Sequence, residues 1–275
     1  MGNIYNVAII GTGDAAQEHY RAIKENKKLR LKAFYTNKIK RGKVIESIWK
    51  VKAYFSLNQM MNLEKLDIVV VANENFKHYL TIKEVIQKKV YILLEKPISH
   101  FISETENIIK LSNNHKNKIS IVLQKRFNTS YNVLKKLLST KSIGKIIMVN
   151  LKIFMPREKK YFSKKKWLLT NKLNNQGIVM HHAIHMLDII CWIFEKKITT
   201  VSSWMSNDIL KLKIEDTCSG FFKFKDGPNI NFCISICADR AQNNSIEIIT
   251  TKKTLIANDH QLKDITNNKL IVSKN

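Results

Sequence analysis

The chain has 275 residues and a formal charge of +25, with 44% hydrophobic and 25% charged residues. This composition is typical of a folded protein with room for two domains, and the lack of any apolar run of ~18 residues excludes a membrane-spanning protein. The basic residues are mostly lysines scattered along the chain, which disfavours a nucleic-acid partner. Because the N-terminus has no signal-peptide pattern, we expect a cytoplasmic protein that contacts neither membrane nor nucleic acid.

Residues 4–23, "IYNVAIIGTGDAAQEHYRAI", predict a buried strand, a glycine turn and a helix that begins near Asp14. The turn fits the pattern G-x-G-x-x-G/A, in which the first glycine makes the turn and the second lets a pyrophosphate approach the backbone. A dinucleotide site is therefore predicted, with a purely structural turn as the alternative. The residues expected to contact the cofactor here are Gly11, Thr12, Gly13, Ala15 and Ala16.

Further strands are predicted at 31–36, 66–73, 90–95 and 119–124, with helical patterns at 76–89 and 101–114. Strands that alternate with helices in this way indicate a parallel, doubly wound sheet, whose ligands bind at the carboxyl ends of the strands. The chemically useful residues at those ends are Thr36, Asn73, Glu95, Lys96 and Gln124.

The end of the second strand bears on the choice of cofactor. Thr36 occupies the position where a NAD enzyme usually carries an acid that binds the ribose 2′-hydroxyl. Asn37 and Lys38 follow, with Lys40 and Arg41 behind them. A hydroxyl and nearby cations suit a 2′-phosphate, which favours NADP over NAD, although lysine is abundant throughout this chain.

From about residue 124 the pattern changes to a helix, a glycine and a long alternating strand, followed by strand patterns within 216–227, 229–238 and 245–257. Such strands with turns between them predict an antiparallel sheet. We therefore expect a dinucleotide-binding domain at 1–123 and a substrate-binding α+β domain at 124–275. The four cysteines are expected to be buried thiols, with Cys233 and Cys237 on one face of a strand because they are four residues apart in an alternating pattern. Some of four apolar residues are expected on an uncovered face of the sheet: Phe222, Phe224, Phe232 and Ile234.

The stretch "GIVMHHAIHMLD", residues 177–188, concentrates three histidines and an aspartate among apolar residues. Read as a helix, it places His181, His185 and Asp188 on one face. The HxxxH spacing resembles zinc peptidases, but His182 stands where their catalytic glutamate belongs and no third ligand is apparent. We expect no metal, and a packing role for the histidines is the other alternative.

These pieces together resemble the Gfo/Idh/MocA (glucose-fructose oxidoreductase/inositol dehydrogenase) family over almost the whole chain. The matching segments are "GTGDAAQEH" (11–19), "ANENFKH" (72–78), "EKP" (95–97), "QKRFN" (124–128), "GIVMHHAIHMLD" (177–188) and "EDT" (215–217). The resemblance implies a Rossmann domain, then an α+β domain with an open-faced, mainly antiparallel sheet that forms a dimer or tetramer. It also implies NAD(P)-dependent oxidation of a sugar or nucleotide-sugar CH–OH group.

The resemblance assigns roles to particular residues. In that family the EKP lysine and the histidine of H-x-x-D meet over the nicotinamide and handle the hydroxyl proton, which implies Lys96 and His185 as the catalytic pair. From the strand ends and the matching segments together, the further cofactor contacts expected are Thr36, Asn37 and Lys38 around the adenine ribose, and Asn73, Asn75, His78, Glu95, Lys96 and Gln124. The substrate contacts implied are Lys96, Arg126, Trp167, His181, His185 and Asp188.

Residues 161–185 further resemble the subgroup that oxidises C3 of UDP-N-acetylglucosamine derivatives for surface polysaccharides. The chain also departs from the family pattern. Of three glycines before the helix only Gly177 remains, His181 replaces an Asp or Asn, and Glu74 replaces a proline. Relatives continue past the last predicted strand, so we expect the family's C-terminal helix to be missing. A diverged, non-catalytic ligand-binding or scaffold protein on the same fold is the alternative.

Overall fold

The computed structural model describes residues 3–115, 118–164, 177–239 and 244–273. The chain divides into two compact units, Met1–Val122 and Leu123–Asn275, each with its own hydrophobic core. Trp167, one of the expected substrate contacts, lies outside the described residues.

The first unit is a parallel sheet with helices between its strands. Its strands are β1 (Tyr5–Ile10), β2 (Leu29–Tyr35), β3 (Lys52–Tyr54), β4 (Ile68–Val71), β5 (Tyr91–Leu94) and β6 (Ile119–Ile121), in the order β3-β2-β1-β4-β5-β6. Its helices are α1 (Asp14–Glu25), α2 (Ile39–Trp49), α3 (Leu57–Leu63), α4 (His78–Val85) and α5 (Ile102–His115). Every strand pair is parallel. The predicted doubly wound sheet is confirmed, and the three-residue β3 is an addition too short for a sequence pattern to indicate.

Apolar runs explain why these strands lie in the middle of the unit. Ile9 and Ile10 are fully buried on opposite faces of β1, because successive side chains of a strand point to opposite sides. Two separate clusters cover the two faces of the sheet, one of them around Trp49, whose ring stacks on Tyr20 at a centroid distance of 4.7 Å. Because these strands are parallel, the carboxyl ends of β1, β2, β4 and β5 lie at one edge of the sheet.

The second unit combines one large sheet with a few helices. Its strands are β7 (Ile146–Phe154), β8 (Ile198–Ser206), β9 (Thr217–Phe224), β10 (Asn229–Ser235), β11 (Ser245–Thr250), β12 (Thr254–Asn258), β13 (Gln261–Asp264) and β14 (Lys269–Ser273). Its α-helices within the described ranges are α6 (Thr129–Leu138), α7 (Lys159–Lys164) and α8 (Ile184–Phe194). The order is β14-β13-β12-β11-β7-β10-β9-β8, antiparallel except for the β7–β10 pair. The prediction of a mainly antiparallel sheet is confirmed, and β8, β13 and β14 were not among the predicted strands.

The expectation about the uncovered face of this sheet is wrong. Phe222, Phe224 and Ile234 are at most 4% exposed and belong with Phe232 to the core that includes α6 and α8 residues. All four share one face because pairing sets Phe232 opposite Gly220 and Ile234 opposite Cys218. Apolar residues exposed on the other face include Met148, Trp204 and Phe221.

The cysteines also differ from expectation. Cys218 is buried, Cys233 and Cys237 are half-buried, and Cys191 is exposed on α8. The expectation that Cys233 and Cys237 share a strand face is wrong, because β10 ends at Ser235.

Within the described ranges no helix has the length and apolarity needed to cross a membrane.

Candidate active site

The glycine turn after β1 fits a dinucleotide. Gly11 has a φ of +116°, and a Cβ built on it would lie 2.5 Å from the Ala72 carbonyl oxygen. The turn therefore packs closely against the backbone at the end of β4. A Cβ on Gly13 would meet nothing within 4 Å, so the backbone there is open to a ligand. Because α1 begins at Asp14, the positive end of the helix dipole faces the same opening, which suits a pyrophosphate.

The end of β2 holds the residues on which the NADP expectation rests. Thr36 is buried, with its Oγ1 3.5 Å from Oγ1 of Thr12, while Asn37 is exposed. The Arg41 guanidinium donates two hydrogen bonds to the Thr12 carbonyl, at 3.0 and 2.6 Å. Lys38 Nζ lies 3.3 Å from Glu74 Oε1. The two cations therefore already bind other groups of the protein.

The end of β4 presents amides to the same edge. Asn73 donates from Nδ2 to Thr81 Oγ1 at 2.8 Å, and its Oδ1 is buried without a hydrogen-bond partner among the residues the structure describes. Oδ1 of Asn75 accepts a hydrogen bond from His100 Nε2 at 2.7 Å. Because an unpaired buried acceptor is costly, Asn73 Oδ1 is a group that could accept a hydrogen bond from a bound nucleotide.

Lys96 follows β5 and lies between Glu95 and Pro97, each of which is hydrogen-bonded to a histidine. Glu95 Oε1 and His19 Nε2 are joined by a hydrogen bond of 2.9 Å, and the Lys96 N–H donates to Glu95 Oε2 at 3.2 Å. On the other side, the Pro97 carbonyl accepts a hydrogen bond of 2.9 Å from Nδ1 of His78. His78 is only 1% exposed and burial lowers its pKa, so the ring is neutral and fixed. The roles of His19 and His78 as supports were not predicted from the sequence.

The lowered pKa of Glu95 leads to a prediction about the stability of the protein in acid. Burial by itself raises its pKa, but the hydrogen bond and charge of His19, together with Lys96, bring the pKa below the ordinary 4.5. A depressed folded pKa stabilises the protein above the unfolded value, and this stabilisation is lost as pH falls through the folded value. We expect Glu95→Gln to lower the free energy of unfolding by about 1–2 kcal/mol at about pH 6, and by less below about pH 4. Urea unfolding at both pH values measures this, and an equal loss at both would contradict the assignment.

The histidine segment is not a regular α-helix. Val179–Ala183 forms a π-helical turn, and α8 follows from Ile184. The segment is helical as predicted, but its first turn is π-helical: His181 lies in that turn, while His185 and Asp188 are three residues apart on α8. His181 Nε2 lies 3.4 Å from the Tyr161 hydroxyl.

Two charged contacts fix this segment. The Arg126 guanidinium donates to both carboxylate oxygens of Asp188, at 2.8 and 2.6 Å, so these two expected substrate contacts bind each other. The Val179 N–H donates to Glu215 Oε1 at 3.3 Å, at the start of the π turn. A Cβ on Gly177 would overlap Glu215 Oε2 at 1.5 Å, which explains why a glycine remains there. Glu215 belongs to the "EDT" segment, but its contact with the histidine segment was not predicted.

Gln124 begins a short 3₁₀ turn in the second unit, where it lines a pocket with Asp259 and His260. In the described part of the chain, no group of three or more His, Cys, Asp or Glu side chains is arranged to hold a metal ion.

Comparison with known proteins places the chain. Residues 5–123 match the NAD-binding Rossmann fold of the GFO/IDH/MocA oxidoreductase family, and residues 131–256 match that family's C-terminal domain. The chain belongs to the Gfo/Idh/MocA family. The predicted fold class and the prediction of a NAD-dependent oxidoreductase are thereby confirmed.

Individual relatives of this Gfo/Idh/MocA protein are distant. Glucose-6-phosphate 3-dehydrogenase of Bacillus subtilis is 20% identical over 90% of this chain and 72% of its own length. YteT of the same organism is 22% identical over 50% of this chain and 32% of its own length. The WlbA dehydrogenase of Bordetella pertussis, solved with NADH and UDP-GlcNAcA, has a TM-score of 0.86 at 20% identity, covering 93% of this chain and 76% of that one.

Proposed function

We propose that this Gfo/Idh/MocA protein is a NAD(P)-dependent dehydrogenase that oxidises a CH–OH group of a sugar or nucleotide sugar. The observation that carries the proposal is one sheet edge that combines an open glycine turn at Gly13 with Lys96, held between the braced Glu95 and Pro97. A dinucleotide-binding turn and a positioned lysine on the same edge are what hydride transfer coupled to proton transfer requires.

In this proposal, bound nicotinamide supplies the hydride acceptor, and the protein's own groups manage the proton. Lys96, in its neutral amine form, takes the hydroxyl proton as the substrate is oxidised. Glu95, held by His19, keeps the Lys96 backbone in place through the Lys96 N–H, and His78 fixes the following carbonyl. His185 binds the substrate hydroxyl or shares its proton.

An anionic sugar derivative is the proposed substrate. Two relatives support this choice by their names: one acts on glucose 6-phosphate, and the other was solved with UDP-GlcNAcA. A net charge of +25 favours the approach of an anion. We also propose a role in surface-polysaccharide biosynthesis, a cytoplasmic location and a homo-oligomer formed through the sheet of the second unit.

The two units have separate proposed roles. The first binds the coenzyme through its glycine turn and strand ends, and the second binds the substrate through His181, His185 and their neighbours. The coenzyme is NAD(H) or NADP(H), and the NADP preference expected from the sequence requires Lys38 to leave Glu74.

Native mass spectrometry of the purified protein tests the proposal without a chosen substrate. We expect a nicotinamide nucleotide to remain bound, or to bind on addition, and an anionic sugar derivative to add to that complex. Denatured protein is the control for nonspecific adducts. The proposal would be contradicted if the protein neither retained a nicotinamide nucleotide nor bound one on addition.

A further inference from the structure

Glu74 places a carboxylate near the end of β2, where the sequence has Thr36 in place of an acidic residue. It follows β4, yet its Oε1 lies 3.3 Å from Nζ of Lys38, which follows β2. Its Oε2 lies 3.1 Å from Nζ of Lys77. Because β1 lies between β2 and β4, the Glu74–Lys38 pair links the two strand ends that flank the glycine turn.

The Glu74 carboxylate is charged at neutral pH. Burial by itself raises its pKa, but its own backbone N–H and the two lysines bring the pKa below the ordinary 4.5. Tyr35 is the last residue of β2, and burial raises its pKa. The negative charges of Glu84 and Glu74 raise that pKa further. The carboxylate therefore acts on the end of β2, where dinucleotide folds distinguish a ribose hydroxyl from a 2′-phosphate.

The cations nearby are less available than their number suggests. Lys38 is bound to Glu74, and the Arg41 guanidinium is fixed on the Thr12 carbonyl. A 2′-phosphate would have to draw Lys38 away from Glu74 and would meet the released carboxylate, while a ribose with free hydroxyls meets neither cost.

We propose that Glu74 determines coenzyme selectivity in this protein, holding Lys38 and repelling a 2′-phosphate so that NAD(H) binds in preference to NADP(H). The inference rests on the proposed function, because it needs a coenzyme in this site. It reverses the NADP preference expected from the sequence, which rested on the nearness of the cations and could not show that Lys38 is paired with Glu74.

Binding titrations of NADH and NADPH, followed by nucleotide fluorescence, test this without any substrate. The wild-type protein should bind NADH more tightly than NADPH. Glu74→Gln keeps the side-chain size but removes the charge, so NADPH should bind about tenfold more tightly while NADH changes by less than about threefold. Glu106→Gln, the same charge change at an exposed position on α5, should leave both affinities unchanged.

Lys38 supplies a second arm. If released Lys38 binds the phosphate, the gain in NADPH affinity should disappear in the double variant Lys38→Met with Glu74→Gln, and Lys38→Met alone should keep the NADH preference. Wild-type protein that binds NADPH at least as tightly as NADH, or a Glu74→Gln variant whose affinity ratio is unchanged, would overturn this proposal alone. Failure of both nucleotides to bind would overturn the proposed function with it.

Discussion

Replacement of Lys96 by methionine is expected to lower turnover on the native substrate by on the order of 10²-fold or more. Methionine keeps the length and apolar stem of the side chain but cannot accept the hydroxyl proton. The surroundings of Lys96 should survive, because its backbone N–H still donates to Glu95 and His78 still binds Pro97. NADH affinity should therefore change by less than about threefold, so the loss should fall on kcat.

Steady-state rates together with NADH titration measure both halves of this prediction. Lys110→Met, the same substitution on the exposed side of α5, is the matched control and should retain full activity. Normal turnover in the Lys96→Met protein would show that the proton is handled elsewhere. A loss of NADH binding equal to the loss of turnover would show that Lys96 binds the coenzyme and has no role in chemistry.

Alanine at Gly11 and alanine at Gly13 should differ sharply although both lie in one turn. At Gly11 a Cβ would lie 2.5 Å from a backbone oxygen of Ala72, at a φ of +116° that alanine rarely adopts. Backbone strain and overlap together should destabilise the protein by about 3 kcal/mol or more and abolish nucleotide binding. At Gly13 the backbone is extended and a Cβ meets no protein atom within 4 Å.

Gly13→Ala should therefore leave the free energy of unfolding within about 0.5 kcal/mol of wild type. It should nevertheless weaken NADH binding by about tenfold or more, because the new methyl group would occupy the space that a pyrophosphate needs. Chemical unfolding and NADH titration on both variants test the pair. If Gly13→Ala bound NADH normally, the pyrophosphate would not lie over this turn.

The strand-turn-helix start of the chain was predictable because its rules are local. The apolar run before Gly11 and the change to helical spacing after Gly13 lie within 20 residues, and the structure contains β1 and α1 where the pattern put them. Longer-range features were not accessible. Lys38 and Glu74 are 36 residues apart in sequence, and nothing in a lysine-rich chain marks one lysine as the partner of that carboxylate.

Other differences also have physical reasons. The π turn at Val179–Ala183 accommodates its residues with i→i+5 bonding, whereas the histidine spacing was interpreted with 3.6 residues per turn. Phe222 and Phe232 lie on the covered sheet face because of the register between β9 and β10, which alternation within one strand does not fix. Glu215 contacts Val179 across 36 residues of sequence, a separation that no local pattern spans.

Reduction of NAD⁺ by a sugar is the measurement that tests the central claim most directly. The purified protein would be incubated with NAD⁺ and, in turn, sugar phosphates, nucleotide sugars, inositols and a small-molecule extract of bacterial cells. Absorbance of the reduced nicotinamide is then recorded. We expect reduction with at least one anionic sugar derivative, and reduction slower by on the order of 10²-fold or more with the Lys96→Met protein. Tight NADH binding without reduction by any of these compounds would contradict the account and indicate a non-catalytic binding protein on the same fold.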